Sequence, residues 1–420
     1  MAQGSTPQGR DLHNAADISE LSGRWSDRAR FKLLLLAAHA FVRVGNLQLH
    51  YRDENPAKVG DGKGPECSVR ISDARFLRHV FRTPDLTIGE AYMDGHWSMT
   101  QGELAHAIGY LLRNERHLAE NPLIKAIAAI RNRIAPPHQP NTPAKSRANV
   151  AHHYDIGNDL YRSFLDEGMN YSCAFFEHAD QDLRGAQLNK LRTTIRRLDV
   201  APDMSVLDIG SGWGELTRMI ARDSDADQVT GITLATEQYN LARERAGDEF
   251  GNRLRYCLED YRDHATANPE RYDRIVSIGM FEHVGKEQFQ TYFQAVRRML
   301  KAGGVALIHS IIRPTSGPTS PWIDKYIFPG GFIPRLSDLV NSGLEAGLSL
   351  AHKPFHHDHT NYATTLRHWR KRFNQAYPTL DHSHYDERFR RMWNFYLAGS
   401  EASFDANGFS VAQVLFRKNS

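Results

Sequence analysis

The sequence predicts an α/β protein built on a doubly wound, mostly parallel sheet, preceded by a smaller α+β domain. Three observations carry that prediction. From Ser205 onward, short β-prone runs alternate with segments of helical period, as in a sheet covered on both faces. At the first strand-to-helix junction, three glycines spaced G-x-G-x-G follow the strand in VLDIGSGWGE. Upstream, RIAPPHQPNTPAKS packs four prolines into a polar stretch with no apolar period, which reads as a linker.

Taken in order, residues 1–22 are small and polar and read as a loose tail. Arg24 to Val42 reads as a helix, NLQLHYRD alternates like a strand, DARFLRHVF reads as a helix and EAYMDGHWS as an aromatic-rich turn region. GELAHAIGYLL and NPLIKAIAAIRNRI read as two further helices. This places a tail at 1–22, an N-terminal domain at 23–131, a linker at 132–147 and a second domain at 148–420. The second domain opens with YDIGNDLYRSFLD, helical in period, and MNYSCAFF. In QDLRGAQLNKLRTTIRRL, Leu183, Leu188, Leu191, Ile195 and Leu198 recur at helical spacing. Then come strand SVLDI, helix LTRMIAR, strand QVTGITL, helix EQYNLARERA, strands RLRYCL and DRIVSIG, helix QTYFQAVRRML and strand VALIHSI. LSLAHKPF and VAQVLFRK read as two late strands.

Composition narrows the function classes. At 420 residues, 41% hydrophobic and 24% charged, the chain has the length and make-up of a multidomain globular protein. No run approaches the roughly 18 apolar residues of a membrane span. LLLLAAHAFV, Leu33 to Val42, is too short for one and follows a polar stretch, so it is no signal peptide either. Cys67, Cys173 and Cys257 are scattered, which argues against a disulfide framework and for a reducing cytosol. The net charge of +3 is mild, and basic blocks such as RNERH and RKRF read as solvated helix faces, so no nucleic-acid partner is expected.

In a doubly wound sheet, ligands bind outside the carboxyl ends of the strands, beside the first strand. Gly210, Gly212 and Gly214 fall there, and glycine lets a backbone turn tightly and a ligand approach closely. The dinucleotide fingerprint G-x-G-x-x-G needs a third glycine one residue further on, where Glu215 stands. Asp208, just before the loop, suits a cationic ligand, whereas a pyrophosphate wants bare amides and no acid beside them. These residues favour S-adenosylmethionine over NAD, with an acid-capped turn that binds nothing as the plainer alternative.

Several motifs then agree. VLDIGSGWGELTRMIA, GITLATEQ, YDRIVSIGMFEHVG, PWIDKYIFPGGFIP and MNYSCAFF together resemble the cyclopropane-fatty-acyl-phospholipid synthase family, from about His152 to Arg417. LTIGEAYMDGHW resembles that family's smaller N-terminal domain. The resemblance implies a class I methyltransferase fold with a seven-stranded sheet. It also implies transfer of a methylene from S-adenosylmethionine across the cis double bond of an unsaturated phospholipid acyl chain, through a carbocation deprotonated by bound bicarbonate. It implies a homodimer, cytoplasmic and peripheral at the inner face of the membrane.

The resemblance assigns residues as follows. Asp208, Gly210, Ser211, Gly212, Trp213 and Gly214 surround the methionine and ribose end of the cofactor; Thr233, Leu234 and Gln238 edge the ribose; Glu259 and Asp260 contact the adenine; Tyr171 and Ser172 close over it. The family commonly reads G-C-G-W-G-G, so Ser211 and Glu215 are departures. Serine is nearly isosteric with cysteine, and a carboxylate at a helix start suits the dipole. Cys173, Glu282, His309, Ile311 and Tyr362 match the positions that hold the bicarbonate: Glu282 orients the ion, His309 and Tyr362 donate to it, Cys173 lines it and Ile311 offers backbone. Taken singly, Cys173 reads as a buried small hydrophobe and Tyr362 as packing. The cluster His352, His356, His357, Asp358 and His359 fits no common zinc spacing, and no metal is expected.

A mid-chain double bond lies deep in the bilayer, and drawing the tail into water costs about 0.8 kcal/mol per methylene. A protein-lined path for the tail is therefore expected, with the aromatic stretches WIDKYIFPGGFIP and RHWRKRF to MWNFYLAGSEASF as its candidates. Two other functions stay open: a lipid C-methyltransferase that does not close the ring, and a lipid-binding protein whose catalysis has lapsed.

Overall fold

The structure, a computed structural model, describes residues 12–80, 83–120 and 156–419. The chain divides into two compact units, Met1–Ala128 and Ala129–Ser420. The expected helix NPLIKAIAAIRNRI and the expected linker 132–147 lie outside the described residues.

In the first unit, helix α1 (Leu12–Phe41) begins at Leu12 rather than Arg24, so the part of the expected loose tail from Leu12 on is helical. Strands β1 (Leu47–Tyr51), β2 (Ala57–Val59), β3 (Cys67–Ile71) and β4 (Trp97–Gln101) form one sheet in the order β2-β1-β3-β4. Helices α2 (Ala74–His79), α3 (Pro84–Met93) and α4 (Leu104–Glu120) complete the unit. The stretch EAYMDGHWS is not one turn region: Glu90 to Met93 close α3 and Trp97 opens β4. The cause is tertiary, because the Trp97 indole donates to the Ile88 carbonyl at 2.9 Å and its ring packs 4.8 Å from that of Tyr92. Buried Asn114 of α4 accepts from the Arg43 and Val44 amides at 2.7 and 3.1 Å and donates to the Val44 carbonyl at 2.8 Å, fixing the chain that leaves α1.

The second unit holds the predicted sheet. Helices α5 (Asn158–Phe164) and α6 (Leu183–Leu198) lead in. The alternation then runs β5 (Ser205–Ile209), α7 (Glu215–Asp223), β6 (Gln228–Thr233), α8 (Thr236–Ala246), β7 (Leu254–Leu258), α9 (Tyr261–Ala267), β8 (Tyr272–Ile278), α10 (Phe289–Met299) and β9 (Leu300–Ile312). An excursion follows: β10 (Gly317–Pro318) paired with β11 (Phe332–Ile333), and between them α11 (Pro321–Tyr326). Helix α12 (Leu336–Glu345), β12 (Leu348–Leu350), β13 (Phe355–His357), α13 (His359–Ala376), α14 (Glu387–Ala406) and β14 (Ser410–Lys418) close the chain.

Strand order is β12-β14-β9-β8-β5-β6-β7, with β13 also on β14, so the sheet has eight strands rather than seven. The difference lies at LSLAHKPF: β12 covers its first three residues, a separate β13 begins at its last, Phe355, and both are antiparallel to β14. The β5–β6, β5–β8, β6–β7 and β8–β9 pairings are parallel and β9–β14 is antiparallel.

Successive strand residues point to opposite faces. Leu207, Ile209, Ile232 and Ile308 pack with Phe289, Tyr292, Phe293 and Val296 of α10. Val206, Val229, Val276 and Leu307 pack instead with Leu216, Met219 and Ile220 of α7 and Leu191 and Leu198 of α6. Each face thus has its own helical cover, the physical content of a doubly wound sheet.

Candidate active site

Asp208 sits near the end of β5, on the face covered by α6 and α7. Its buried carboxylate accepts from Thr217 Oγ1 at 2.8 Å. Burial pushes its pKa up to about 7, against the pull of the Thr217 hydroxyl and the Lys190 charge. Past β5, the Gly210 and Ser211 amides both donate to the Ile232 carbonyl, at 2.9 and 3.0 Å, which ties the glycine loop to β6. Gly212 has φ +55, and a Cβ there would meet no protein atom within 4 Å, so this backbone borders open space.

A cavity opens over this loop. Its wall includes Tyr171, Ser172, Asp208, Gly210, Ser211, Gly212, Trp213, Thr233, Leu234, Gln238, Glu259 and Asp260. All the cofactor residues expected from the sequence therefore meet at one cavity, with one exception. Gly214 is not in the wall. It is the left-handed cap of α7, and its carbonyl accepts from Tyr256 Oη at 2.9 Å. A Cβ would lie 2.5 Å from that oxygen, so close packing requires glycine there.

The wall residues are held in place by their neighbours. Thr233 Oγ1 donates to Gln238 Oε1 at 2.9 Å, both buried. The Trp213 indole donates to Asn158 Oδ1 at 2.7 Å, and Tyr171 and Tyr396 share a hydroxyl hydrogen bond of 2.6 Å. Asp260 caps α9 and takes Arg262 Nε and Nη2 at 2.8 and 2.7 Å, while Glu259 contacts His264. Glu215 is the first residue of α7 and is buried. Burial works to raise its carboxyl, but hydrogen bonds from Arg184 and Arg218 hold it below the usual range. The departure from glycine here is thus accommodated by two arginines.

None of the five residues assigned to the anion site is in this cavity's wall; Cys173 and Glu282 adjoin the wall residues Ser172 and His283 in the chain. Glu282 lies on a 3-10 turn after β8, and its Oε1 accepts the Ile311 amide at 2.7 Å. Its Oε2 is buried with no hydrogen-bond partner among the described residues, and burial pushes the carboxyl up to about 7. The Ile311 amide, part of the backbone that residue was expected to offer, thus donates to Glu282 and positions that carboxyl. His309 lies two residues before Ile311 and on the same strand face. Its ring stacks on Phe175 with centroids 6.0 Å apart. Cys173 is fully buried, its Sγ donates to the Ala174 carbonyl at 3.3 Å, and burial raises the thiol, which stays neutral. Helix α13 ties the Cys173 loop down: the Ala174 amide donates to Thr365 Oγ1 at 3.0 Å and the Phe176 amide to Asn361 Oδ1 at 2.8 Å. Tyr362, between those two residues, packs its ring 4.5 Å from that of Phe404.

The sequence reading missed a second stripe on α6. Gln187, Lys190, Thr194 and Arg197 recur at helical spacing beside the leucines and face inward. Gln187 Nε2 donates to the Ser172 carbonyl at 2.9 Å, and Lys190 Nζ donates to Ser172 Oγ at 2.8 Å. Burial lowers the Lys190 ammonium to about 8, opposed by Asp166, Cys173 and Asp208. His283 also lines the cavity and is neutral, lowered by burial to about 4. The 3- and 4-residue spacing of the polar positions was the available signal, but in NKLRTTIRRL it has the form of a solvated helix face.

The aromatic stretches pack on one another: Trp322 meets Phe395 edge-on at 4.8 Å, Phe328 meets Tyr396 at 5.8 Å and His283 at 5.4 Å, and Pro329 joins the cavity wall. His357, one of the histidines weighed for metal, stacks on Phe175 at 3.8 Å.

Residues 141–414 match the family described as mycolic acid cyclopropane synthetase. The chain is 36% identical over 361 residues to a cyclopropane-fatty-acyl-phospholipid synthase of Escherichia coli K12, covering 85% of this chain and 89% of that one. It is 36% identical over 386 residues to a tuberculostearic acid methyltransferase of Mycobacterium tuberculosis, covering 87% and 86%. A crystal structure of a mycolic acid cyclopropane synthase complexed with SAH and CTAB superposes with a TM-score of 0.58 at 30% identity, over 65% of this chain and 98% of that one.

Proposed function

The chain belongs to the mycolic acid cyclopropane synthetase family, and from that premise we propose that it converts the cis double bond of a phospholipid-bound acyl chain into a cyclopropane ring. It is an S-adenosylmethionine-dependent methyltransferase. When bound, S-adenosylmethionine supplies the methyl group and bicarbonate a base for the proton that leaves before the ring closes.

The chain's own residues supply the rest. Gly210 turns the loop tightly against Met280, Gly212 leaves room for the cofactor, Asp208 offers a carboxylate to its cationic end, Thr233 and Gln238 edge its ribose, and Tyr171 and Ser172 close over it. The observation that carries the anion site is the buried Oε2 of Glu282, left without a hydrogen-bond partner among the described residues while its Oε1 takes the amide of Ile311, two residues along β9 from His309. A buried acceptor without a donor is costly. An anion that keeps one O–H, as bicarbonate does, satisfies that oxygen and accepts from His309. A neutral Cys173 thiol lines the site without competing as a nucleophile for a carbocation. Packed aromatic rings such as Trp322, Phe328 and Tyr396 give the acyl tail apolar surroundings and a cation an electron-rich neighbour.

Leu33 and Leu36 of α1 are 58% and 68% exposed, which supports docking on a lipid surface as a peripheral protein at the inner face of the membrane. No helix among the described residues is long and apolar enough to cross a membrane.

Incubation with unsaturated phospholipid vesicles and S-adenosylmethionine, followed by mass spectrometry and NMR of the released fatty acids, tests the reaction. A gain of one CH2 with loss of the alkene signal is expected. The match to a tuberculostearic acid methyltransferase favours a second reading, methylation without ring closure, and a CH2 gain without a ring signal would establish it. For the anion site, Glu282→Gln is expected to slow turnover about tenfold to a hundredfold, the loss of a buried polar partner worth about 1–3 kcal/mol. Cofactor affinity stays near normal, and bicarbonate depletion slows the parent more than the variant. A parent rate indifferent to bicarbonate would remove that ion from the reading.

A further inference from the structure

A closed set of hydrogen bonds beneath the anion site decides which nitrogen of His309 carries its proton. Gln413 of β14 sits directly opposite His309 of β9 in the antiparallel register. Arg197 of α6 donates to Gln413 Oε1. A guanidinium has donors only, so the Gln413 oxygen must face it and the NH2 group must face the other way. That NH2 nitrogen lies 3.1 Å from Thr194 Oγ1 and 3.2 Å from His309 Nδ1. Thr194 has already committed its own hydroxyl hydrogen to the Lys190 carbonyl at 2.9 Å, so toward Gln413 it accepts. Two amide hydrogens therefore meet two acceptors, and Nδ1 of His309 must present its lone pair. Gln413 and Thr194 are wholly buried, so no water competes for these groups.

His309 is neutral, its pKa held well below the ordinary histidine value by burial first and then by the neighbouring His357, Lys190 and Arg197. A neutral imidazole whose Nδ1 accepts carries its hydrogen on Nε2. The ring is also held in rotation. Phe175 stacks on it from one side, His357 stacks on Phe175, and Arg197 donates to His357 Nε2 at 3.0 Å while lying 3.7 Å from the Phe355 ring centroid.

We infer that Arg197 and Gln413 are positioning residues that fix His309 in the tautomer protonated at Nε2, so that its single N–H is free for the anion site. Gln413 reads the orientation of Arg197 and passes it to the imidazole, much as an orienting carboxylate fixes the opposite tautomer in other histidine-dependent enzymes. The inference rests on the reading of His309 as a donor to a bound anion.

The test uses the full-length protein labelled with 15N-histidine, with His309→Gln to identify the His309 resonances. Long-range proton–nitrogen correlation spectra are expected to show Nδ1 at an unprotonated shift and Nε2 at a protonated one. Gln413→Glu keeps the bond to Arg197 but turns a carboxylate oxygen toward Nδ1, drawing the hydrogen there. Its nitrogen shifts should exchange, and kcat should fall by about tenfold or more while KM for S-adenosylmethionine stays unchanged, the pattern of a misplaced tautomer. An Nδ1–H tautomer in the parent protein overturns the inference without any variant having to fold. A Gln413→Glu variant with exchanged shifts and full kcat overturns the positioning role. A parent rate indifferent to bicarbonate, with both nitrogen results as expected, would remove the bound ion and leave the tautomer assignment standing.

Discussion

Gly212 and Asp208, which line the cavity proposed for the cofactor, each carry a cost to the fold. Gly212 adopts φ +55 beside open space, a conformation that costs an L-residue about 1–2 kcal/mol. Gly212→Val is therefore expected to lower apo stability modestly and S-adenosylmethionine affinity by more than about tenfold, or about 1.4 kcal/mol. Titration calorimetry beside a thermal melt separates the two, and unchanged affinity would remove this loop from the cofactor site. Asp208 is raised by burial from 3.8 to about 7. In that window the folded chain holds a proton that the unfolded chain has lost, so this group's contribution to stability is full below the unfolded value and is lost as pH rises through about 7. Asp208→Asn should remove that slope in apo melting temperatures between acid and neutral pH. A cationic ligand reverses the preference, because it favours the carboxylate. Parent affinity for S-adenosylmethionine should then rise with pH toward about 7 with release of a proton, seen as a buffer-dependent binding enthalpy. A flat pH profile would place the cation elsewhere.

At the scale of elements, α13 and α6 hold the Cys173 loop from two directions. Thr365 of α13 accepts the Ala174 amide and donates to the Asn361 carbonyl at 2.7 Å. Thr365→Val keeps the shape and leaves a buried amide unpaired, at a cost of about 1–3 kcal/mol in urea unfolding. Turnover should fall further than cofactor affinity, since the Tyr171–Ser172 wall is also held by Gln187 and Lys190 of α6. A variant that loses stability but keeps kcat would show that this tie serves only the fold. Helix α6 itself has two inward stripes. Its leucines seat it on Val206 and Leu307, and its polar positions reach Ser172 and Gln413.

For the whole molecule, the proposed phospholipid substrate requires the protein to meet a lipid surface. Leu33 and Leu36 are large apolar side chains left in solvent on α1. Burying one such side chain is worth about 1.5–3 kcal/mol. Replacing both by serine in the full chain is expected to weaken co-sedimentation with anionic phospholipid vesicles by about tenfold or more, with no change in S-adenosylmethionine binding. Binding of the parent should also weaken with salt, since exposed charges are screened over about 8 Å at physiological ionic strength. Vesicle binding that ignores both leucines would move the docking surface off α1.

The features that depend on neighbours in the chain were legible from the sequence alone. Period-two and period-3.6 patterns marked β5 to β9 and the helices α7, α8 and α10, because burial on one face is a local property of spacing, whereas the short α9 between β7 and β8 was not read. The loop around Gly210 and Gly212, and Asp208 before it, were legible because a tight turn and a lone acid leave a mark in consecutive residues. What the tertiary structure alone decided depends on partners far away in the chain. Lys190, Thr194 and Arg197 look like a solvated face until α6 lies on the sheet and Arg197 meets Gln413, 216 positions on. That the Ile311 amide donates to Glu282, 29 positions earlier, is visible only once β9 lies beside the turn after β8. Gly214 matched a binding motif, yet packing against Tyr256 is what excludes any side chain there. A buried polar group is stable only if its hydrogen-bond partner arrives with it, and which partner arrives is settled by how the strands and helices pack together.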